Sequence, residues 1–195
     1  MTVRRKNEIP KIMLVGKLRA GKDAVAGYLV EKYGFTRFAF GDALKRKAHD
    51  VFMFSDFLFR EGKPRALYQQ FGEYCRKIDP LVWVRYVDAQ VYIAERTPST
   101  RGIVVSDGRQ PHEIDWARKN GFKIVRVTAP DHLRVERARQ AGDVFSEEDL
   151  RHDTEQWVDR FVVDYEVNNN GDIRDLERKI DEMMTKLLSD KEAIV

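Results

Sequence analysis

The sequence predicts an α/β fold in which a parallel sheet of five strands lies between two layers of helices. Short apolar runs alternate along the chain with longer stretches that have helical periodicity. Parallel neighbours need a crossover connection, and the intervening stretches are long enough to supply helical ones. The 195 residues are enough for one compact domain with a substantial core, but too few for two full domains. We therefore expect a single three-layer domain over 1–195.

The elements follow one another in a regular order. The expected strands are the short apolar runs at 11–15, 36–40, 102–106, 122–128 and 162–167. Apolar side chains recur every three or four residues in the stretches between them, which predicts helices. These helices are expected at 21–33, 42–54, 65–77, 80–95, 112–120, 131–141 and 172–188.

Residues with turn or capping chemistry mark several boundaries. Asp79 can cap a helix that begins at Pro80, because the first helical position does not need the N–H that proline lacks. Gly34 and Gly121 each follow a helical stretch and are expected to end it in the left-handed conformation.

Charge and composition exclude several classes of protein. The 35 basic residues nearly balance 32 acidic ones, so the net charge of +3 argues only weakly for a nucleic-acid partner. Cys75 is the single cysteine and cannot form an intramolecular disulfide. No run approaches the roughly 18 apolar residues of a membrane span. We expect a cytoplasmic protein that acts on small anionic molecules and has no membrane partner.

A glycine-rich turn joins the first strand to the first helix. Residues 16–23 read GKLRAGKD, which has the spacing G-x-x-x-x-G-K of a phosphate-binding loop. Such a loop points main-chain N–H groups at a phosphate, and Lys22 would reach the β and γ phosphates of ATP. The expected triphosphate contacts are Gly16, Lys17, Leu18, Arg19, Ala20, Gly21, Lys22, Asp23 and Ala24.

Asp23 departs from this pattern, which normally has Ser or Thr after the lysine. Its carboxylate could bind Mg²⁺ directly or through water, because magnesium accepts carboxylate oxygens and keeps several waters. Alternatively, it only favours the positive end of the helix. Both interpretations require a nucleotide site nearby.

Five segments resemble one family of enzymes. GKLRAGKDAVAGYL resembles phosphate-loop kinases in which Asp follows the Lys, a branch that includes phage-type deoxynucleoside monophosphate kinases and the animal type of phosphomevalonate kinase. Four later segments are similar to the corresponding ones of the deoxynucleoside monophosphate kinases: FAFGDALK, RALYQQFGEYCRKIDPLVWV, VVSDGRQPHEIDWARKNGFKIVRV and DYEVNNNGDIRDLERKI. The resemblance implies a P-loop kinase with a small helical acceptor segment at 42–95 and a lid at 131–155. It also implies transfer of the ATP γ-phosphoryl group to a monophosphate nucleotide.

Two residues after the third strand are candidates for the metal and for the acceptor phosphate. Asp107 lies at the carboxyl end of a strand, where parallel sheets bind ligands, and suits a direct or outer-shell ligand of Mg²⁺. The alternative is an ordinary Asp-Gly turn. Arg109 could hold the acceptor phosphate through two parallel hydrogen bonds, unless it is a solvated arginine at a helix start.

The acceptor segment is rich in aromatic residues that either stack on a base or simply pack a helical core. Asp42 is expected to position the acceptor or to cap the second helix, and these roles are compatible. Trp83 suits the core as well as a binding site. The expected acceptor contacts are Asp42, Lys45, Arg65, Gln70, Arg76, Trp83, Arg109 and Glu113.

Two further regions are expected to contact ATP. Arg137 and Arg139 in the lid could neutralise charge in the transition state, or form an ordinary solvated face. Asn169 follows the fifth strand and could contact adenine, or adopt a left-handed turn conformation with the glycine that follows. We expect Lys22, Arg109 and Arg137 to be the catalytic residues.

Two alternatives keep parts of this interpretation. The acceptor could be a non-nucleotide phosphate, as in phosphomevalonate or dephospho-coenzyme A kinases. The chain could also be a nucleotide-binding or nucleic-acid-binding module without phosphotransfer, although its basic residues are scattered among acidic ones rather than clustered. The sequence leaves the oligomeric state open, and a homodimer is compatible with it.

Overall fold

The computed structural model describes residues 9–53, 55, 64–141 and 157–192. Within them, five strands form one sheet in the order β2-β3-β1-β4-β5. Every pair of neighbouring strands is parallel. The strands are β1 (Lys11–Val15), β2 (Phe35–Phe38), β3 (Gly102–Gly108), β4 (Lys123–Thr128) and β5 (Tyr165–Asn168). The expected five-stranded parallel sheet is confirmed.

Seven helices of eight residues or more lie in the described part of the chain. They are α1 (Lys22–Tyr33), α2 (Phe40–Val51), α3 (Arg65–Ile78), α4 (Val82–Ala94), α5 (Pro111–Lys119), α6 (Asp131–Gln140) and α7 (Ile173–Glu192). In this part of the chain no helix is both long enough and apolar enough to cross a membrane.

Two apolar cores lie on opposite faces of the sheet, because side chains alternate along each strand. In β1, Ile12 and Leu14 pack with apolar residues of α1 and α7. Met13 and Val15 pack on the other face with residues of α2, α4 and α5. All four side chains are fully buried, which stabilises the fold by roughly 1.5–3 kcal/mol for each large aliphatic group. The predicted three-layer arrangement is confirmed.

The central position of β1 determines where a ligand can bind. β1 pairs with β3 on one side and with β4 on the other. The chain therefore leaves β1 at the point where the strand order reverses, and open α/β sheets bind ligands in the crevice at that point. The residues that follow β1 are those of the predicted phosphate loop.

The boundary between β2 and α2 was predicted wrongly. The strand was expected to continue to residue 40, but it ends at Phe38, and α2 begins at Phe40. The reason is a carboxylate far away in the sequence: Asp107 accepts hydrogen bonds from the backbone N–H groups of Phe40 and Gly41. These bonds start the helix two residues earlier than local apolar periodicity indicates.

Other boundaries differ less. α4 begins at Val82 rather than at residue 80, although Asp79 still accepts a hydrogen bond from the N–H of Leu81. β5 begins three residues later than expected, since Val162 is exposed and does not join the sheet. Gly34 and Gly121 have left-handed φ values of 68° and 74°, as predicted.

Candidate functional site

The phosphate loop has a backbone that ordinary residues rarely adopt. Gly16, Arg19 and Gly21 have φ values of 154°, 60° and 105°. A Cβ atom on Gly16 would collide with the carbonyl oxygen of Val127 in β4, so a glycine is required there. Alternation of handedness in successive residues turns several backbone N–H groups towards one point, which is how such loops bind anions.

The first turn of α1 follows the loop directly. Among the described residues, no side chain caps this helix, whose N-cap is Gly21. A helix start of this kind can offer main-chain donors and the positive end of the helix dipole to an anion. The loop and the helix start lie together at the carboxyl end of β1, and anion binding there stays a prediction.

Lys22 lies folded against this loop. Its side chain is only 8% exposed, and its Nζ donates to the carbonyl oxygens of Gly16 at 2.5 Å and of Lys17 at 3.0 Å. These bonds hold the ammonium group beside the loop, where a phosphate chain would lie. Contact of Lys22 with the β and γ phosphates stays a prediction.

The side chain of Lys17 has a different partner. Its Nζ forms an ion pair with Asp159 at 2.8 Å. The guanidinium of Arg126 in β4 holds the backbone carbonyls of Val158, Asp159 and Phe161. Sequence reasoning missed both Asp159 and Arg126, because nothing local indicates that residues so far apart meet beside the loop.

Asp23 is 92% exposed on the first turn of α1. Arg37, at the carboxyl end of β2, links it to the acceptor segment: its Nη2 lies 3.5 Å from Asp23 Oδ1 and its Nη1 lies 3.0 Å from Asp42 Oδ2. Lys45 also donates to Asp42. Burial alone would raise the pKa of Asp42, but the hydrogen bond from Lys45 and the charge of Arg37 hold it below its usual value.

Asp42 does not cap α2, because it lies within the first turn. Asp107 accepts hydrogen bonds at 2.9 and 2.8 Å from the N–H groups that start this helix. Each of its carboxylate oxygens thus already has a main-chain partner, and an outer-shell contact with a metal is more compatible with this geometry than direct ligation. Burial raises the pKa of Asp107 despite the two hydrogen bonds.

Glu113 occupies a matching position at the start of α5. Its Oε2 accepts hydrogen bonds from the backbone N–H groups of Arg109 at 2.7 Å and Gln110 at 2.9 Å. Gln110 and Glu113 form a capping box, which sequence analysis did not single out. Burial, with the nearby charge of Asp107, raises the pKa of Glu113 to about 7. Glu113, expected to contact the acceptor, instead orients the backbone of Arg109.

The remaining acceptor candidates are divided between core and surface. Trp83 is 6% exposed and packs against Phe71 at a ring distance of 6.1 Å, so it belongs to the core. The expected contact between the acceptor and the faces of this ring was therefore wrong. Gln70 is exposed on α3, and Arg76 is half-buried near the start of α5. Burial lowers the pKa of His112, and the charge of Arg76 lowers it further. Arg65 begins α3, and its side chain lies outside the described part of the structure.

Only the first part of the predicted lid lies within the described residues. Residues 142–155 of this segment lie outside the described residues, as do 56–63 of the aromatic acceptor segment. Within α6, Arg139 is exposed, whereas Arg137 donates from Nη2 to the backbone oxygen of Asn169 at 3.1 Å. Its Nη1 is buried, and no described group accepts a hydrogen bond from it. This N–H group is a donor available to a ligand.

Asn169 lies at the phosphate loop, but its amide is already engaged. Its Nδ2 donates to the carbonyl oxygen of Ala20 at 2.9 Å. The alternative of a left-handed turn was wrong, because neither Asn169 nor Gly171 has a positive φ. Contact of Asn169 with adenine stays a prediction.

A pocket of about 110 Å³ opens between the loop, the end of β4 and residues 158–159. Ligand sites usually measure roughly 300–1,000 Å³, so a nucleotide would extend beyond this pocket. Among the described residues, no group of three His, Cys, Asp or Glu side chains could hold a metal by itself. An exposed Asp23 beside the loop nevertheless fits Mg²⁺ brought by a nucleotide, since magnesium is commonly held by one or two carboxylates together with substrate phosphates.

The order of the sheet and the glycine-rich loop after β1 define a P-loop fold. The family profile of deoxynucleotide monophosphate kinase matches residues 64–180, which is more than half of the chain and begins after the phosphate loop. The chain belongs to this family. Comparison with curated proteins gives no significant sequence match.

Solved structures support the same fold. TT1252 from Thermus thermophilus has a TM-score of 0.61 and 20% identity, and the match covers 92% of this chain and 98% of that protein. Shikimate kinase from Acinetobacter baumannii has a TM-score of 0.59 and 18% identity, with 94% and 96% covered. Dephospho-CoA kinase from Campylobacter jejuni has a TM-score of 0.55 and 14% identity, with 91% and 96% covered. At these identities the likeness supports the fold alone.

Proposed function

We propose that this P-loop kinase transfers the γ-phosphoryl group of ATP to the phosphate of a deoxynucleoside monophosphate. The observation that carries the proposal is the loop at 16–21, followed by a helix start that no side chain caps among the described residues. The Nζ of Lys22 lies 2.5 Å from the oxygen of Gly16 in this loop. Family membership supports the choice of a deoxynucleotide acceptor.

The donor triphosphate is bound mainly by backbone N–H groups. Lys22 leaves the loop carbonyls and neutralises the β and γ phosphates. The buried Nη1 of Arg137, which has no acceptor among the described residues, donates to the same phosphates. Asp23 and, through the outer shell, Asp107 are the residues that would hold Mg²⁺, which supplies further charge neutralisation when bound. Because the acceptor phosphate is ionised at neutral pH, the reaction needs positioning more than a strong base.

The acceptor phosphate is bound by side chains rather than by helix starts. The first N–H groups of α2 already donate to Asp107, and the N–H groups just before α5 already donate to Glu113, so neither set is readily available to a phosphate. An anion near these helix starts would also meet two buried carboxyl groups. Arg109 and Arg76 are the cations suited to the acceptor phosphate, and Lys45 stands beside Asp42 at the entrance to the acceptor segment.

One assay tests the proposal. The protein is incubated with ATP and Mg²⁺ against a panel of ribo- and deoxyribonucleoside monophosphates, phosphomevalonate and dephospho-coenzyme A, and the phosphorylated product is measured. We expect diphosphate product with at least one deoxynucleoside monophosphate and ADP formation that depends on it. Product only with a non-nucleotide phosphate would overturn the acceptor assignment. ADP formation with no acceptor requirement would overturn the kinase assignment. The cytoplasmic location and a homodimer stay predictions.

A further inference from the structure

We infer that Arg134 and Asn169 are positioning residues that hold the phosphate loop in its anion-binding conformation. Each donates a hydrogen bond to a different carbonyl of the loop, from a different element of the fold. The inference rests on the proposed function, since it concerns the affinity for the donor triphosphate. Neither side chain needs to touch ATP for this role.

Arg134 reaches the loop from α6. It is 4% exposed, and its Nη1 donates to the carbonyl oxygen of Leu18 at 3.0 Å. Its Nε and Nη2 both donate to Asp131 Oδ1, at 3.2 and 2.9 Å. The hydrogen bond from Arg134 holds the pKa of Asp131 below its usual value. Asp131 thus fixes the guanidinium plane while one of its N–H groups holds the loop.

Asn169 reaches the loop from the end of β5. It is 7% exposed, and its backbone N–H donates to the oxygen of Thr128 at 2.7 Å. Its side-chain orientation follows from its partners. Arg137 can only donate, so the atom 3.4 Å from Arg137 Nη2 is the amide oxygen. The amide nitrogen therefore faces the carbonyl of Ala20, at 2.9 Å.

These two bonds determine the direction of two loop N–H groups. In a planar trans peptide, the N–H points opposite to the C=O of the preceding residue. A Leu18 carbonyl held by Arg134 therefore turns the N–H of Arg19 away from α6. An Ala20 carbonyl held by Asn169 likewise turns the N–H of Gly21 away from β5. These fixed directions are the ones in which the two N–H groups would donate to an anion.

Arg19 lies between the two held carbonyls and has a left-handed φ of 60°. That conformation costs a residue with a Cβ atom roughly 1–2 kcal/mol, so it persists only where neighbouring contacts enforce it. Hydrogen bonds on both sides of Arg19 supply this enforcement. Gly21 is adapted to the same contact, because a Cβ atom there would collide with Nδ2 of Asn169.

The test measures ATP affinity by titration calorimetry in the full-length chain, together with KM values for ATP and for the acceptor found active. The variants are Arg134→Ala, Arg134→Lys, Asn169→Ala and Asn169→Asp. Matched controls are Arg174→Ala and Asn170→Ala, which change exposed residues at the start of α7 and in the loop before it. Thermal unfolding of each variant reports whether the fold is retained.

We expect Arg134→Ala and Asn169→Ala to weaken ATP binding about tenfold or more, because each removes a buried hydrogen bond that orients the loop. The acceptor KM should stay within about twofold. Arg134→Lys should recover part of the affinity, since one N–H donor remains. Asn169→Asp should be worse than Asn169→Ala although it keeps the shape, because a carboxylate oxygen would face the carbonyl of Ala20.

Two results would overturn the inference. The first is an ATP affinity within twofold of that of the unmodified chain in all four variants. The second is an equal loss of ATP and acceptor binding together with a lower unfolding temperature. Should Arg134→Ala fail to fold, the order of the Asn169 variants and the partial recovery by Arg134→Lys decide the question. If the unmodified chain binds no ATP, the proposed function fails and this inference fails with it.

Discussion

The donor and acceptor sides of the site are held together by opposite kinds of hydrogen bond. On the donor side, Lys22, Arg134 and Asn169 donate to carbonyl oxygens of the phosphate loop. On the acceptor side, Asp107 and Glu113 accept from the N–H groups at the starts of α2 and α5. On one side, side chains therefore hold main-chain carbonyls, and on the other side they hold main-chain N–H groups.

The difference suits the proposed function, in which donor and acceptor phosphates would be bound by different kinds of group at one edge of the sheet. Backbone N–H groups bind a phosphate chain in one fixed place and are suited to the invariant triphosphate of a donor. Arginine side chains bind a phosphate through a planar fork and can be placed to suit a particular acceptor. Arg37 spans the boundary, since it contacts Asp23 on the donor side and Asp42 on the acceptor side.

The largest expected effect is on the donor side. Lys22→Met should lower kcat by about a thousandfold, because it removes the charge that neutralises the transferred phosphoryl group. Steady-state kinetics with saturating ATP and acceptor measure it, with thermal unfolding to check the fold. Lys119→Met, which changes an exposed lysine at the end of α5, is the control. A kcat within tenfold of the unmodified chain would mean that the loop does not bind the reacting phosphates.

Arg109 tests the acceptor side. Arg109→Ala should raise the acceptor KM by about ten- to a hundredfold and leave the KM for ATP unchanged, because charged hydrogen bonds to the acceptor phosphate are lost. Arg109→Lys should recover little, since an ammonium group cannot form two parallel bonds. Arg101→Ala is a matched control at an exposed position. A change in the KM for ATP instead would move Arg109 to the donor side.

The stability of the acceptor side is expected to depend on pH through Glu113. Its folded-state pKa of about 7 lies above its ordinary value of 4.5, so the folded protein binds the proton more tightly than the unfolded chain. The stabilisation is complete below about pH 4.5 and is lost as the pH rises to about 7. At pH 8, Glu113→Gln should be more stable than the unmodified chain by up to about 3 kcal/mol, because a neutral amide still accepts the two N–H bonds.

Urea unfolding at pH 5 and at pH 8 measures this difference, which should be larger at pH 8. Glu31→Gln, on the exposed face of α1, should show no such pH dependence. A Glu113→Gln variant that is less stable than the unmodified chain at pH 8 would show that the ionised carboxylate is the stabilising form.

The smallest effect is expected at Asp23. Asp23→Ser should keep Mg²⁺-dependent activity within about tenfold, because a hydroxyl oxygen can replace a carboxylate beside the metal. Activity measured against Mg²⁺ concentration tests this, and Asp115→Ser on the exposed face of α5 is the control. Activity without any added metal would show that supporting the cation is not the role of Asp23.

The sequence predicted the donor side better than the acceptor side, for a physical reason. The strand, the loop and Lys22 are contiguous, so spacing alone places them correctly. The start of α2 depends on Asp107, 66 residues away from Gly41, and no local pattern shows such a contact. Arg134 and Asn169 were assigned to the lid and to adenine because the sequence does not show that both lie beneath the loop. Trp83 illustrates a further limit, since an aromatic ring suits a core as well as a base.

The most direct test of the central claim combines a non-hydrolysable ATP analogue with hydrogen–deuterium exchange. We predict that the analogue binds with measurable heat and slows exchange of the backbone N–H groups at 18–24, with little change at the start of α5. No heat of binding, or protection that leaves residues 18–24 unchanged, would contradict the claim that the loop after β1 holds the triphosphate.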